Sequence, residues 1–114
     1  MWEDVSKLVN CTPHEVAVLV KDQMIRIPPS GILVRLTTNC APIGDVLGLP
    51  VVLCIEGEPV GLPEPEKGVV YIVSSMIAKK VMRPDVISPD TSDEGAIRDG
   101  NGYIIGVTRL KCYQ

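Results

Sequence analysis

His14 is the only histidine of the 114-residue chain and the first candidate for acid–base chemistry. A histidine that activates a Ser or Cys nucleophile needs a suitably placed partner, and Cys11 and Thr12 are near it in sequence without establishing that geometry. With a neighbouring carboxylate, His14 would instead suit a phosphodiesterase or hydrolase. A ring that hydrogen-bonds the backbone of the turn at 10–14 is the more common role, followed by a ligand contact.

Arginine side chains are the second candidates, because a guanidinium group binds phosphate through two hydrogen bonds and stacks on nucleobases. Arg35 is flanked by Val34 and Leu36, which argues against a plain surface charge, although strand alternation alone would also point it outward. Arg26, in contrast, is typical of a solvated strand face. The other candidates lie in or at the ends of predicted elements: Arg83, Arg98 and Arg109. Two or three such side chains converging on one pocket would hold a phosphorylated ligand whatever the net charge.

Tyr71, Ser74 and Ser75 lie where an apolar strand passes into a short helix. Free N–H groups at a helix start bind anions, which makes Ser74 a candidate phosphate contact, although serine is also a common plain N-cap. Tyr71 has two open roles: a core residue with its hydroxyl hydrogen-bonded, or a stacking partner for a base. Neither GxxxxGK nor GxGxxG occurs between strand and helix, so no standard phosphate loop is predicted.

The four cysteines, at positions 11, 40, 54 and 112, show no CxxC or CxxH spacing. In a reducing compartment this pattern favours buried free thiols over disulfides or a zinc site. The carboxylates fall mostly in turns and loops, and no two of them are paired as a hydrolase acid and base. We therefore expect no metal, no cofactor and no catalytic set.

Composition and charge limit the possible partners. With 11 basic and 14 acidic residues the net charge is −3, so no broad cationic surface is expected to attract a nucleic-acid polymer. The start of the chain, Met1–Asp4, is acidic where a secretory signal would be basic, and the apolar runs are too short to span a bilayer. The expectation is a cytosolic protein with no membrane partner.

The element pattern predicts one mainly β domain of the α+β class over residues 1–114, with about seven short strands and one helix. Turn signals every 8 to 12 residues or so favour a decorated β-sandwich, with an α+β sheet covered by one helix as the alternative. The helix is expected over Met76–Met82, ended by Pro84. The core has to be aliphatic, because the chain contains no Phe.

Three segments carry the strongest strand signals, and two other segments are predicted to lack regular structure. Residues 16–27 predict a hairpin, 69–73 a strand buried on both faces, and 96–110 a hairpin around a Gly-rich turn. Residues 38–49 are predicted to be irregular. Residues 57–68 are too rich in Pro and Gly for regular structure and are expected to form a surface loop.

Motifs in a fixed order resemble a family of small proteins often encoded by phages and prophages. They are Asn10-Cys11-Thr12-Pro13-His14-Glu15-Val16, Ile27-Pro28-Pro29-Ser30-Gly31, Leu62-Pro63-Glu64-Pro65 with Gly68-Val69-Val70-Tyr71-Ile72-Val73-Ser74, and Ile97-Arg98-Asp99 with Gly102 and Ile104-Ile105-Gly106-Val107. Over residues 8–110 the chain resembles the first type of Thoeris anti-defense protein. It departs from the family in lacking Phe and in having Cys11 where Leu is usual.

The resemblance implies a decorated immunoglobulin-like β-sandwich that forms a homo-oligomer, a dimer or a hexamer, with ligand between protomers. Such proteins are non-enzymatic sponges that sequester a cyclic ADP-ribose isomer in the bacterial host cytoplasm, and some also hold cyclic oligonucleotides. By motif context the resemblance places Tyr71 at the aromatic ligand position and Arg98 at an arginine position. Weaker matches are Arg35, Arg83 and Arg109.

A sponge for a cyclic nucleotide immune signal is therefore the leading functional prediction. Two alternatives from other classes stay open. One is a nucleotide phosphodiesterase or hydrolase that uses His14 with a neighbouring carboxylate. The other is a virion structural or protein-binding module, since β-sandwiches with exposed aliphatic strand faces serve that purpose too.

Overall fold

Ten strands and one helix form two four-stranded sheets and a two-stranded arm in the computed structural model, which describes residues 2–114. The elements in chain order are β1 (Lys7–Asn10), β2 (Val16–Val20), β3 (Gln23–Ile27), β4 (Arg35–Val46), β5 (Leu49–Val60), β6 (Val69–Ile72), α1 (Ser75–Val81), β7 (Val86–Pro89), β8 (Ala96–Arg98), β9 (Ile104–Val107) and β10 (Leu110–Cys112). The mainly β class with a single short helix, predicted from the sequence, is confirmed.

The first sheet has the strand order β1-β6-β7-β10 and is built around β6. Strands β1, β6 and β7 are parallel, and β10 joins the edge of β7 in antiparallel orientation. All four residues of β6 are buried, as expected for an apolar run covered on both faces. Val69 and Tyr71 pack on the helix side, whereas Val70 and Ile72 pack toward the second sheet.

The second sheet has the order β3-β2-β9-β8. Val16 and Val18 of β2 and Val107 of β9 pack in one aliphatic cluster with the first sheet, so the two sheets share a core. The hairpin of β2 and β3 matches its prediction. The parallel pairs β1–β6, β6–β7 and β2–β9 differ from the largely antiparallel pairing of an immunoglobulin domain.

Helix α1 covers the first sheet with Ile77 and Ala78, which are both buried. It lies one residue earlier in the chain than predicted. Met82 ends it in the left-handed conformation, with φ of 49°, and its N–H donates to the carbonyl of Ala78. Hence the helix ends before Pro84 is reached.

The arm, defined as β4 and β5, corrects the prediction that residues 38–49 are irregular. The two strands pair from Arg35–Val60 to Val46–Leu49, with register shifts at Leu36/Thr38 and Pro42/Gly44. Leu47 and Gly48 turn the chain with positive φ angles of 50° and 80°, as a type I′ turn requires. Proline and glycine are compatible with these strands because both are edge strands with one side free of ladder hydrogen bonds. The surface loop predicted for 57–68 is a strand up to Val60.

A disulfide joins Cys40 and Cys54, so the expectation of four free thiols is wrong for this pair. The two residues are direct partners across the arm, which brings their side chains to the same face. Only Cys11, which is buried, and the partly buried Cys112 are free. A separation of 14 residues in sequence carries no signal of pairing, and only the register of the arm creates it.

Candidate functional site

A cavity of about 520 Å³ opens where the two sheets and the start of α1 meet. Thr12 and His14 line it from the turn after β1, and Ser74, Ser75 and Met76 line it from the start of α1. The remaining wall consists of Glu15, Val16, Ala17, Arg26, Val73, Pro89, Thr91 and residues Ile104, Ile105, Gly106 and Val107. The cavity therefore combines an aliphatic wall with hydroxyl, imidazole and charged groups.

Asn10 shapes the turn that carries His14. The side chain of Asn10 is 1% exposed, and its Nδ2 donates to the carbonyls of His14 at 2.8 Å and Ile27 at 3.0 Å. Its Oδ1 accepts from the N–H of Thr12 at 3.0 Å and from the Thr12 hydroxyl at 2.7 Å. These bonds use all of the amide's polar atoms locally, which fixes the turn and leaves the exposed ring of His14 on the cavity wall.

Glu15 and Arg26 form an ion pair on the same wall. Nη1 of Arg26 lies 2.8 Å from Oε1 of Glu15, across the hairpin of β2 and β3. The interpretation of Arg26 as a plain surface charge is therefore incomplete, because its side chain is 60% exposed yet lines the cavity. Arg26 lies opposite Ala17, another wall residue, because the hairpin turns at Lys21 and Asp22.

Ser74 is the N-cap residue of α1, but its side chain makes no capping hydrogen bond. The common structural role of an N-cap serine is thus not the one observed here. Ser74 is exposed and lies on the cavity wall next to Ser75 and Met76. Of the seven site residues predicted from the sequence, the cavity brings together two, His14 and Ser74.

Arg109 does not line the cavity, but it supports the cavity wall by binding the buried carboxylate of Asp90. Asp90 is 0% exposed, and its Oδ2 accepts from Nε of Arg109 at 2.6 Å. Its Oδ1 accepts from the Ser92 hydroxyl at 2.6 Å and lies 3.3 Å from Nζ of Lys111. The hydroxyl of Ser92 and the guanidinium of Arg109 hold the pKa of Asp90 far below its ordinary range. Asp90 in turn lies between Pro89 and Thr91, which line the cavity.

Arg83 is occupied by protein groups. Its guanidinium makes two hydrogen bonds to the Asp85 carboxylate, at 2.9 and 2.6 Å, and two to the carbonyl of Pro63, at 3.2 Å. The hydrogen bond to Asp85 is the main reason why the pKa of Arg83 is raised. In this arrangement Arg83 fastens the loop before β6 to the turn after α1, and its ligand role stays a prediction.

Tyr71 is a core residue. It is 3% exposed, packs with Ile77 and Val86, and its hydroxyl donates to the carbonyl of Glu64 at 3.3 Å. Burial raises its pKa. Because neither ring face is open, the stacking role is not available to Tyr71 in this structure, and the core alternative is the one observed.

Arg98 and Arg35 are exposed and lie outside the cavity wall. Nη1 of Arg98 donates to the carbonyl of Gly102 at 2.8 Å, within its own hairpin. Arg98 is nevertheless the register partner of Ile104, a wall residue, so it lies beside the cavity rim. Arg35 lies at the root of the arm. The candidate arginines therefore do not converge within one chain.

Comparison with known proteins finds no matching family model, no significantly similar characterised protein and no significantly similar solved structure. Helix α1 is too short to cross a membrane, and no other helix occurs in residues 2–114.

Proposed function

We propose that this protein is a non-enzymatic sponge that binds a cyclic nucleotide immune signal, such as a cyclic ADP-ribose isomer, and so blocks antiphage defence in the bacterial cytoplasm. The observation that carries the proposal is the cavity between His14 and Ser74. Its volume of about 520 Å³ falls within the usual range for small-molecule sites, about 300 to 1,000 Å³.

The lining chemistry supports a ligand with both flat and polar parts. Ile104 and Ile105 offer an exposed aliphatic surface for a base or ribose, and Thr12, His14 and Ser74 offer hydroxyl and imidazole groups. Arg26 is the one guanidinium on the wall, and Glu15 already neutralises part of its charge. A ligand with two phosphates needs more positive charge than this rim supplies.

A second protomer would supply that charge, which is why we propose a homo-oligomer, a dimer or a hexamer, with ligand shared between chains. Arg98 at the rim and Arg35 at the root of the arm are exposed and are the arginines best placed to reach a neighbouring copy. The arm presents exposed aliphatic side chains that a neighbouring chain would cover, among them Leu53 and Ile55, which lie on the face opposite the Cys40–Cys54 pair.

Calorimetric titration with cyclic ADP-ribose isomers and with cyclic dinucleotides tests the proposal. We expect binding of at least one of them, and a loss of affinity of about tenfold or more for His14→Ala and Arg98→Ala, since each removes a polar ligand contact. Lys21→Ala is the matched control, because Lys21 is exposed in the turn between β2 and β3, outside the cavity wall. Failure of every nucleotide to bind would contradict the proposal.

A hydrolase is the second candidate, because His14 and the carboxylate of Glu15 line the same cavity. The two functions are distinguished by incubating the nucleotide with the protein, denaturing the protein by heat to release the nucleotide, and analysing the nucleotide by chromatography. A sponge returns the nucleotide intact. Product formation that disappears in His14→Ala would establish the hydrolase instead.

A further inference from the structure

The Cys40–Cys54 disulfide lies near the middle of the arm, away from both sheets. Both cysteines are exposed, and they are direct partners in the ladder of β4 and β5. An attacking thiolate needs access to one of the two sulfur atoms, which is the condition that a disulfide inside a core fails to meet. This bond is therefore open to exchange while the protein remains folded.

The segment beyond the disulfide has little else to hold it. Residues 41–53 are exposed apart from Val51, so no packing against the sheets orders them. Pro42 and Pro50 donate no ladder hydrogen bonds, and the register shifts between Pro42 and Gly44. An isolated two-stranded hairpin is only marginally stable in water.

The side chains beyond the bond add to this instability. Leu47 at the tip is 98% exposed, and Ile43, Val46 and Leu49 are between 58% and 66% exposed. Because these side chains remain largely exposed, the arm lacks the burial against a second sheet that stabilises the hairpin of β2 and β3. The covalent link is the strongest constraint on the register of this segment.

We infer that Cys40–Cys54 is a thiol–disulfide exchange site whose co-substrate is a dithiol reductant, and that its redox state sets the order of the arm. One thiolate of the dithiol attacks a sulfur of the protein disulfide and forms a mixed disulfide, releasing the other cysteine as a thiolate that takes up a proton. The second thiol of the reductant then displaces the remaining cysteine. The protein disulfide gains two electrons and two protons, and the dithiol becomes a cyclic disulfide.

The other two cysteines do not compete for this chemistry. Cys11 is 1% exposed, and its thiol donates to the carbonyl of Val9 at 3.7 Å. Cys112 is partly buried on β10, where its Sγ lies 3.7 Å from the carbonyl of Arg83. Exchange is thereby confined to the arm, and the two free cysteines serve as internal controls.

Alkylation followed by mass spectrometry of the folded, full-length protein tests the exchange step. After treatment with dithiothreitol, a dithiol, in the absence of denaturant, we expect two additional alkylated cysteines, mapped to Cys40 and Cys54. A bond that is absent after purification in air, or that becomes reducible only in denaturant, would overturn the inference.

Hydrogen exchange compares the order of the arm in the two redox states. Amides of residues 41–53 should lose protection by about tenfold or more on reduction, while those of β6 stay unchanged. The double variant Cys40→Ser, Cys54→Ser should match the reduced state without any reductant, and Cys112→Ser should behave as the unmodified protein. Equal arm protection in the oxidised and reduced forms would show that the bond does not control the arm.

Discussion

Tyr71 illustrates how a side chain that suits a ligand can instead serve the core. Its ring packs with Ile77 and Val86 beneath the helix, and its hydroxyl reaches the carbonyl of Glu64. The same holds for Asp90, whose carboxylate is enclosed by four donor groups of Ser92, Arg109 and Lys111 and supports the cavity wall. At the scale of single residues, the polar groups nearest the cavity therefore divide into those that line it and those that support it.

Replacing Tyr71 separates the two roles. We expect Tyr71→Ala to lower the free energy of unfolding by about 3 to 5 kcal/mol, because a buried ring is lost. Tyr71→Phe keeps the ring and should cost only about 1 kcal/mol for the hydroxyl bond. Urea denaturation measures both values, and nucleotide affinity of Tyr71→Phe should equal that of the unmodified protein. Weaker binding at unchanged stability would instead place Tyr71 in the site.

Asp90 gives the protein a specific sensitivity to acid. Because its pKa in the folded state lies below the ordinary value of 3.8, the unfolded state binds the proton first as the pH falls. The stabilising effect is therefore complete above about pH 5 and is lost progressively below about pH 4. In Asp90→Asn we expect lower stability at neutral pH and a weaker dependence on acid, measured as urea midpoints from about pH 7 to about pH 3.

Gly95 accounts for the enclosure of that carboxylate. A Cβ at Gly95 would collide with Cγ of Asp90, so only glycine allows the chain to pass this close. In addition, the Gly95 carbonyl accepts from the N–H of Thr108 at 2.8 Å. The close approach of Gly95 to Asp90 therefore links the turn before β8 to the cavity wall at Pro89 and Thr91.

At the scale of elements, helix α1 lacks the glycine that usually occupies the left-handed position at the end of a helix. Helix α1 ends at Met82 in the left-handed conformation, which glycine adopts without a steric cost but methionine does not. Met82 is 51% exposed, so little packing is lost if it is replaced.

Met82→Gly should therefore raise the stability by about 0.5 kcal/mol, as the relief of strain exceeds the added entropy of the unfolded chain. Lys80→Gly is the matched control: it is exposed inside the same helix and should lower stability by about 1 kcal/mol. Thermal unfolding followed by circular dichroism measures both. A loss of stability in Met82→Gly comparable with that of Lys80→Gly would contradict this account of the helix end.

At the scale of the whole molecule, the arm dominates the shape. The protein extends 53 × 40 × 26 Å, although its two sheets are built from strands of only three to five residues. Leu53 and Ile55 are 53% and 65% exposed and lie on one face of β5. Such a surface suits contact with another copy of the chain better than contact with water.

The double variant Leu53→Thr, Ile55→Thr tests that contact, because threonine keeps the β propensity and removes the apolar surface. We expect self-association to weaken by about tenfold or more, with the mass measured by light scattering moving toward the 12.3 kDa of one chain. Val20→Thr, an exposed valine on β2, should leave the mass unchanged. An unmodified protein that is monomeric at every concentration would exclude the homo-oligomer.

Local patterns in the sequence determined the mainly β class, the hairpin over 16–27, the buried strand β6 and the short helix. In each case neighbouring residues carry the signal, through alternation, turn residues or an apolar run. His14 and Ser74 could likewise be selected as candidates, and both line the cavity.

Tertiary structure alone decided the arm, the Cys40–Cys54 bond, the choice between the two roles of Tyr71 and the place of Arg26 on the cavity wall. Each depends on the register or packing of one strand against another, which the pattern within a single segment does not encode. The proline and glycine residues of the arm are typical of irregular backbone, and only the pairing of β4 with β5 shows that they lie in strands. The separation of the candidate arginines has the same origin, because their distances are set by how the sheets and the arm assemble.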